Sequence, residues 1–236
     1  MVEALRSLVE LSRIDGEIAT REEEKATLPE ARAVCARRRA DADAKVQAAR
    51  SAIEALELTQ RQHESQARDQ QALLDKLEGQ QHQVKSNDAY TALLHEMETA
   101  KEAISEAETA VLEDMEALDE GKAAVDAAES HLADETEATR EEEAGIDARE
   151  QVLDSEIAGF RSEREGIAGG LDAKVRSTYE RVAGRRRPPV AIVNGETCTG
   201  CRVGIPPQNF IEVRMAESLV SCGQCNRILV HEAHLG

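Results

Sequence analysis

The chain of 236 residues contains no Trp, two Phe and two Tyr, so the large rings that usually fill a broad globular core are nearly absent. Charged residues make up 32% of it and the formal net charge is -18, a balance that suits helices meeting along narrow seams and disfavours nucleic acid backbones as general partners. No stretch approaches the roughly 18 uninterrupted apolar residues of a membrane span, and the N-terminus carries acids where a signal peptide would be basic, so the expected location is cytoplasmic, with no membrane partner.

In chain order, Leu5, Leu8, Leu11, Ile14 and Ile18 open a helical run that extends from Val2 to about Val84. Pro29 removes a backbone donor and clashes with the preceding turn, which predicts a kink or break near Thr27-Leu28-Pro29. From Val46 a seam continues through Ile53, Leu56, Leu74, Leu77 and Val84, diluted by Gln60, His63 and Gln70. A turn is expected near 80–88, where apolar periodicity lapses and Ser86-Asn87-Asp88 offers helix-capping side chains.

The next helix is expected over Asp88 to Val182. Steps of seven from Tyr90 give Met97, Ile104, Val111, Leu118, Val125, Leu132, Thr139, Ile146, Leu153, Phe160 and Ile167. A strict seven-residue period imposes a left-handed supercoil. Ala103, Ala110, Ala117 and Ala124 form a second row in which backbones can approach closely. Gly121, Gly145, Gly159, Gly166 and Gly169-Gly170 weaken the helix by roughly 1 kcal/mol each relative to Ala, so bends or fraying are expected toward its C-terminal half. The fold class is therefore mostly α: a long, kinked, antiparallel coiled-coil hairpin over residues 1–184.

Arg185-Arg186-Arg187-Pro188-Pro189 forms a stiff linker (185–189). Beyond it, residues 190–236 contain short apolar runs (Val190 to Val193, Phe210 to Met215, Leu219 to Ser221, Ile228 to Val230) between Gly and Pro, the pattern of small strands. Two C-x2-C pairs, Cys198/Cys201 and Cys222/Cys225, lie here. Two intervening residues let a tight turn aim both sulfurs at one metal, with Gly200, Gly204 and Gly223 supplying conformational freedom. The pairs predict a small zinc ribbon with one structural Zn2+, since four thiolates leave no open coordination position. Disulfides, a redox couple and thiolate-bound iron are the competing readings.

Residues Arg185 to Gly236 hold six Arg and four Glu. Arg185, Arg186, Arg187, Arg202 and Arg227 are accordingly the candidate contacts for nucleic acid or a protein partner, although Phe210 is the sole aromatic there for stacking a base. His231 and His234 are expected at the surface or behind the sulfurs, and Cys35 as a small buried hydrophobe. Glu22 to Glu24 and Glu141 to Glu143 are expected as solvated helix faces. Nothing resembles a phosphate loop, an activated nucleophile or an open metal site, so no enzyme is expected.

The run Cys198-Thr-Gly-Cys-Arg-Val-Gly-Ile-Pro-Pro-Gln208, then Ser221-Cys-Gly-Gln-Cys-Asn-Arg-Ile-Leu229, together with Ser86-Asn-Asp-Ala-Tyr-Thr-Ala-Leu93 at the turn, resembles the bacterial family of coiled-coil hairpin proteins with a C-terminal C4-type zinc ribbon. The resemblance covers nearly the whole chain. It implies a non-enzymatic adaptor or chaperone-like protein that binds a protein partner, such as an RpoN-type sigma factor or a flagellar or secretion component. RNA binding through the ribbon and Arg185 to Arg187 is the alternative, and a structural spacer, as a homodimer, is the third reading.

Overall fold

The computed structural model describes residues 1–235; Gly236, the last residue of the expected ribbon, lies outside them. Helix α1 (Val2–Gln81) and helix α2 (Asn87–Gly169) form the hairpin, with the turn at 82–86. A short helix α3 (Ala173–Ala183) follows. Three strands, β1 (Val190–Asn194), β2 (Thr197–Cys198) and β3 (Ile228–His231), enclose helix α4 (Pro207–Met215), and a 3-10 turn (Glu232–His234) ends the described chain. No described helix is long and apolar enough to cross a membrane. The chain divides into two compact units, Met1–Arg32 with Ala144–Gly236, and Ala33–Glu143.

Helix α1 passes through Pro29 without interruption, so of the kink or break expected there, the break does not occur. A proline deletes a single intrahelical donor, and its surroundings are braced on both sides. Leu28 is buried, Lys25 pairs with Asp154 at 2.5 Å, and Arg32 pairs with Asp147 at 2.6 Å and Glu150 at 2.7 Å.

The single long helix expected up to Val182 is, by contrast, two. Helix α2 closes with tight bonds from Gly170 N–H to the Ile167 carbonyl (3.1 Å) and Leu171 N–H to that of Ala168 (3.3 Å). Asp172 then takes an extended conformation (ψ 141°) and its Oδ1 accepts from the Lys174 N–H at 2.8 Å. The Gly169-Gly170 pair thus precedes an N-cap, a stop followed by a restart. The α3 stripe Val175, Tyr179 and Val182 is buried with Leu5, Leu8 and Leu11 of α1 and with Val190, Ile228 and Val230 of the strands. The ribbon therefore shares a hydrophobic core with the helical base of its own unit.

In the unit of residues 33–143, apolar packing is concentrated near the turn, in Leu74, Leu77, Leu93, Met97 and Ala100. Every member of the heptad row within it from Met97 to Thr139 is buried or half-buried, while Tyr90 is exposed. Thr139, the chemical exception in that row, is fully buried and is satisfied by donating to the Glu135 carbonyl at 2.7 Å. Of the expected small-residue row, Ala103, Ala110 and Ala117 are half-buried and Ala124 is exposed, while three positions after the heptad row Ala100 and Ala107 are buried more deeply, and a Cβ on Gly121 would sit 3.2 Å from Ile53 Cγ1.

Farther along, that row turns polar. Asp114 Oδ2 lies 2.7 Å from His63 Nδ1, and Glu135 and Glu142 both accept from Arg38, at 2.9 and 2.7 Å. Cys35 is buried as expected, with its thiol 3.5 Å from Glu142 Oε2; burial, reinforced by that carboxylate, pushes the thiol's pKa up. Members of the acidic runs expected as solvated faces also take partners, with Glu143 on Arg39, Glu22 on Arg161 and Glu24 on Arg149. Solvent screens such exposed pairs, so they add little to stability.

Candidate metal centre

The three-stranded sheet has the order β2-β1-β3, with β1 antiparallel to β2 and parallel to β3. Two of the expected strands are absent from it. Phe210 to Met215 lie in α4, which Pro206 and Pro207 initiate and Ala216 closes in a left-handed conformation (φ 50°); proline pre-sets the backbone of a first helical turn. Leu219 to Ser221 contribute only an isolated bridge, between Ser221 and Ile228.

The two cysteine loops are built alike. In the first, the Cys198 N–H bonds the Val203 carbonyl (3.1 Å) and the Arg202 N–H bonds the Cys198 carbonyl (2.7 Å). In the second, Cys222 bonds Arg227 (2.8 Å) and Asn226 bonds Cys222 (2.9 Å) in the same pattern. Left-handed backbone falls on the residue after each second cysteine, Arg202 (φ 59°) and Asn226 (φ 61°), and not on Gly200, Gly204 or Gly223. Gly200 is required for space: a Cβ there would lie 2.6 Å from Arg227 Cδ and 3.1 Å from Ala191 Cβ.

These loops bring all four sulfurs within 4.8 Å of one another. Cys198 Sγ is 3.9 Å from Cys225 Sγ, and Cys201 Sγ is 3.7 Å from Cys222 Sγ. Four thiolates at ~2.3 Å from a tetrahedral zinc ion stand about 3.8 Å apart, so the donor set fits that ion. A disulfide requires ~2.05 Å, and all five cysteines are free. Burial pushes the Cys198 thiol up to about 12, so its thiolate depends on a cation held among the sulfurs. Burial raises Cys225 as well, but hydrogen bonds from the Arg227 backbone N–H and guanidinium, together with those to Cys222 and Cys201, outweigh it and bring that thiol to about 7.

A C4-type zinc ribbon domain matches residues 197–229, and a CT398-like coiled coil hairpin domain matches residues 11–187. The chain belongs to the CT398-like coiled-coil hairpin family. In this family member Cys198, Cys201, Cys222 and Cys225 hold a structural Zn2+, and the fully thiolate shell leaves no open position. Among solved structures, CT398 from Chlamydia trachomatis is similar over 97% of this chain and 98% of its own, with 23% identity and a TM-score of 0.82. A protein from Mycobacterium smegmatis is similar over 98% of both chains (21%, 0.77). HP0958 from Helicobacter pylori is similar over 97% of both (18%, 0.59). No curated protein sequence matches significantly.

Other candidate residues divide sharply around this centre. Arg227 faces inward, donating from Nε to the Pro188 carbonyl (2.8 Å) and from Nη1 to that of Gly200 (2.9 Å), so it ties the linker to the first cysteine loop. Arg185, Arg186, Arg187 and Arg202 are exposed. His231 Nδ1 accepts from the Ala233 N–H (3.1 Å), and His234 Nε2 lies 3.1 Å from the Arg214 carbonyl; neither joins the sulfur cluster. Gly200→Ala is expected to displace Arg227, costing about 1–3 kcal/mol and accelerating zinc loss to a chromogenic chelator. Unchanged release kinetics would show that the Arg227 tie is dispensable.

Proposed function

We propose that this family member is a non-enzymatic adaptor that holds a protein partner on its helical hairpin, with the zinc ribbon as a closed structural module. The sealed sulfur shell supports a role in recognition rather than reaction. The observation that carries the reading is the surface of residues 33–143. They contain 12 basic and 27 acidic residues, a formal charge of -15. Against that acidity they expose Leu58, Leu73, Leu94, Leu112 and Met115, with Leu112 62% and Met115 49% exposed one turn apart on α2. Apolar side chains in an acidic setting suit a basic segment with an apolar face. An RpoN-type sigma factor or a flagellar or secretion component, implied by the family resemblance, is the first partner to try.

The test is affinity between the purified chain and such a sigma factor, alongside pull-downs from native lysate. Leu112→Asp with Met115→Asp should weaken retention at least about tenfold, a loss of roughly 1.4 kcal/mol. Failure of any protein to bind the unmodified chain would defeat the adaptor reading. RNA held by the ribbon and Arg185 to Arg187 has less support, because residues 185–236 hold only six Arg against four Glu and Phe210 is the sole Phe, Tyr or Trp there to stack a base.

A further inference from the structure

Most arginines of the helical base are neutralised. Arg13, Arg21, Arg32, Arg149, Arg161 and Arg164 each pair with one or more carboxylates. One cleft in the same unit is lined by Asp15, Glu22, Glu165 and Glu180 beside Arg161, Arg164 and Arg187, so acids outnumber bases within it.

A second cleft, of about 540 Å3, has a different lining: Arg181, Val182, Arg185, Arg186, Ser221 and Asn226. No carboxylate lines it. Among the described residues, none of its three arginines forms an ion pair, and the Ser221 hydroxyl and Asn226 amide have no side-chain partner.

The walls of this cleft are fixed by the fold. Arg181 is on the last turn of α3. The N–H groups of Arg185 and Arg186 both donate to the Val182 carbonyl at 2.9 Å, which holds the chain just past the helix over a buried Val182. From the ribbon, Ser221 precedes the ligand Cys222, and Asn226 is pinned by its N–H to the Cys222 carbonyl at 2.9 Å. The second cysteine loop and the end of α3 therefore both contribute to the lining.

Three guanidiniums, a hydroxyl and an amide in an acid-free cleft of this size form a donor set for a compact, multiply charged anion. Its local charge of +3 matches a diphosphate group. A longer polyanion gains little beyond the compact anion: screening over about 8 Å confines the attraction to the cleft. Phe210 and the imidazoles of His231 and His234, the aromatic rings after residue 184, are all outside the lining, so base stacking adds nothing. We propose that this cleft is a binding site for the diphosphate group of a small soluble anion, either free pyrophosphate or a nucleoside diphosphate. The site is independent of the partner surface on the hairpin.

The zinc-loaded full chain should be titrated with pyrophosphate and, in parallel, with ADP, orthophosphate and a 20-nucleotide single-stranded RNA, by calorimetry and 31P NMR. Pyrophosphate is expected to bind one per chain and more tightly than orthophosphate. ADP binding as well as pyrophosphate assigns the source to the nucleotide, and weaker ADP binding assigns it to the free anion. Arg185→Ala with Arg186→Ala should weaken binding about ten- to a hundredfold while one zinc per chain is retained. Arg13→Ala, outside the cleft lining, should leave it unchanged. Three results would each overturn the proposal: no stoichiometric pyrophosphate binding, undiminished binding in the zinc-loaded double variant, or RNA binding that pyrophosphate fails to displace.

Discussion

Cys222→Ser is expected to reduce bound zinc from one ion per chain to none and to remove amide-exchange protection across 190–231. The physical reason is the poverty of the core around the sulfurs. Apart from the buried ligands Cys198, Cys222 and Cys225, its buried members are Ala191, Val193, Ile205, Val213, Val220 and Leu229, too little apolar bulk to offset the ordering of some forty residues. Structural zinc supplies about 10–16 kcal/mol in small zinc domains, comparable to the whole stability of an ordinary domain. The loss should spread, because Val190, Ile228 and Val230 pack with Leu5, Leu8 and Tyr179. Metal content and hydrogen exchange measured on the same sample decide the matter; a metal-free variant with full protection would refute the zinc-dependent fold.

The second large effect is expected at Tyr179. Its side chain is fully buried, and its hydroxyl donates to Asp15 Oδ2 at 2.7 Å while Arg164 donates to Asp15 Oδ1 at 2.6 Å. Tyr179→Ala opens a cavity where α1, α3 and the sheet meet and should cost about 3–5 kcal/mol. Tyr179→Phe keeps the ring and leaves Asp15 bonded to Arg164, so only about 1 kcal/mol should be lost. Chemical denaturation followed by exchange of amides in β1 and β3 measures both. Equal losses for the two variants would place the stabilisation in the hydroxyl rather than in packing.

The seam of α2 was legible because a buried helical face repeats in sequence, so the row from Met97 through Ile167 could be followed residue by residue. The four ligands were legible because C-x2-C spacing is itself the geometry of half a tetrahedron. Other features depend on contacts between distant residues. Whether Pro29 breaks α1 depends on Leu28 and on partners such as Asp147, Glu150 and Asp154, more than a hundred residues away. The inward use of Arg227 depends on carbonyls at Pro188 and Gly200 that its immediate neighbours do not reveal. The interruption at Gly170 to Asp172 did leave a local signal, a glycine pair followed by a capping Asp. The apolar run Phe210 to Met215 suits strand or helix equally, and Pro206-Pro207 was the signal that should have decided for helix.

One core joins residues far apart in sequence, with Leu5 and Leu8 packed against Ile228 and Val230 and Arg6 Nε bonded to the His234 carbonyl at 2.7 Å. During synthesis, Leu5 and Leu8 emerge from the ribosome long before Ile228 and Val230 exist. At about 5–20 residues per second, more than ten seconds pass between the two events. Residues 33–143 can fold upon themselves within that interval, whereas the leading segment must wait, its leucines open to chaperones or to a neighbouring nascent chain.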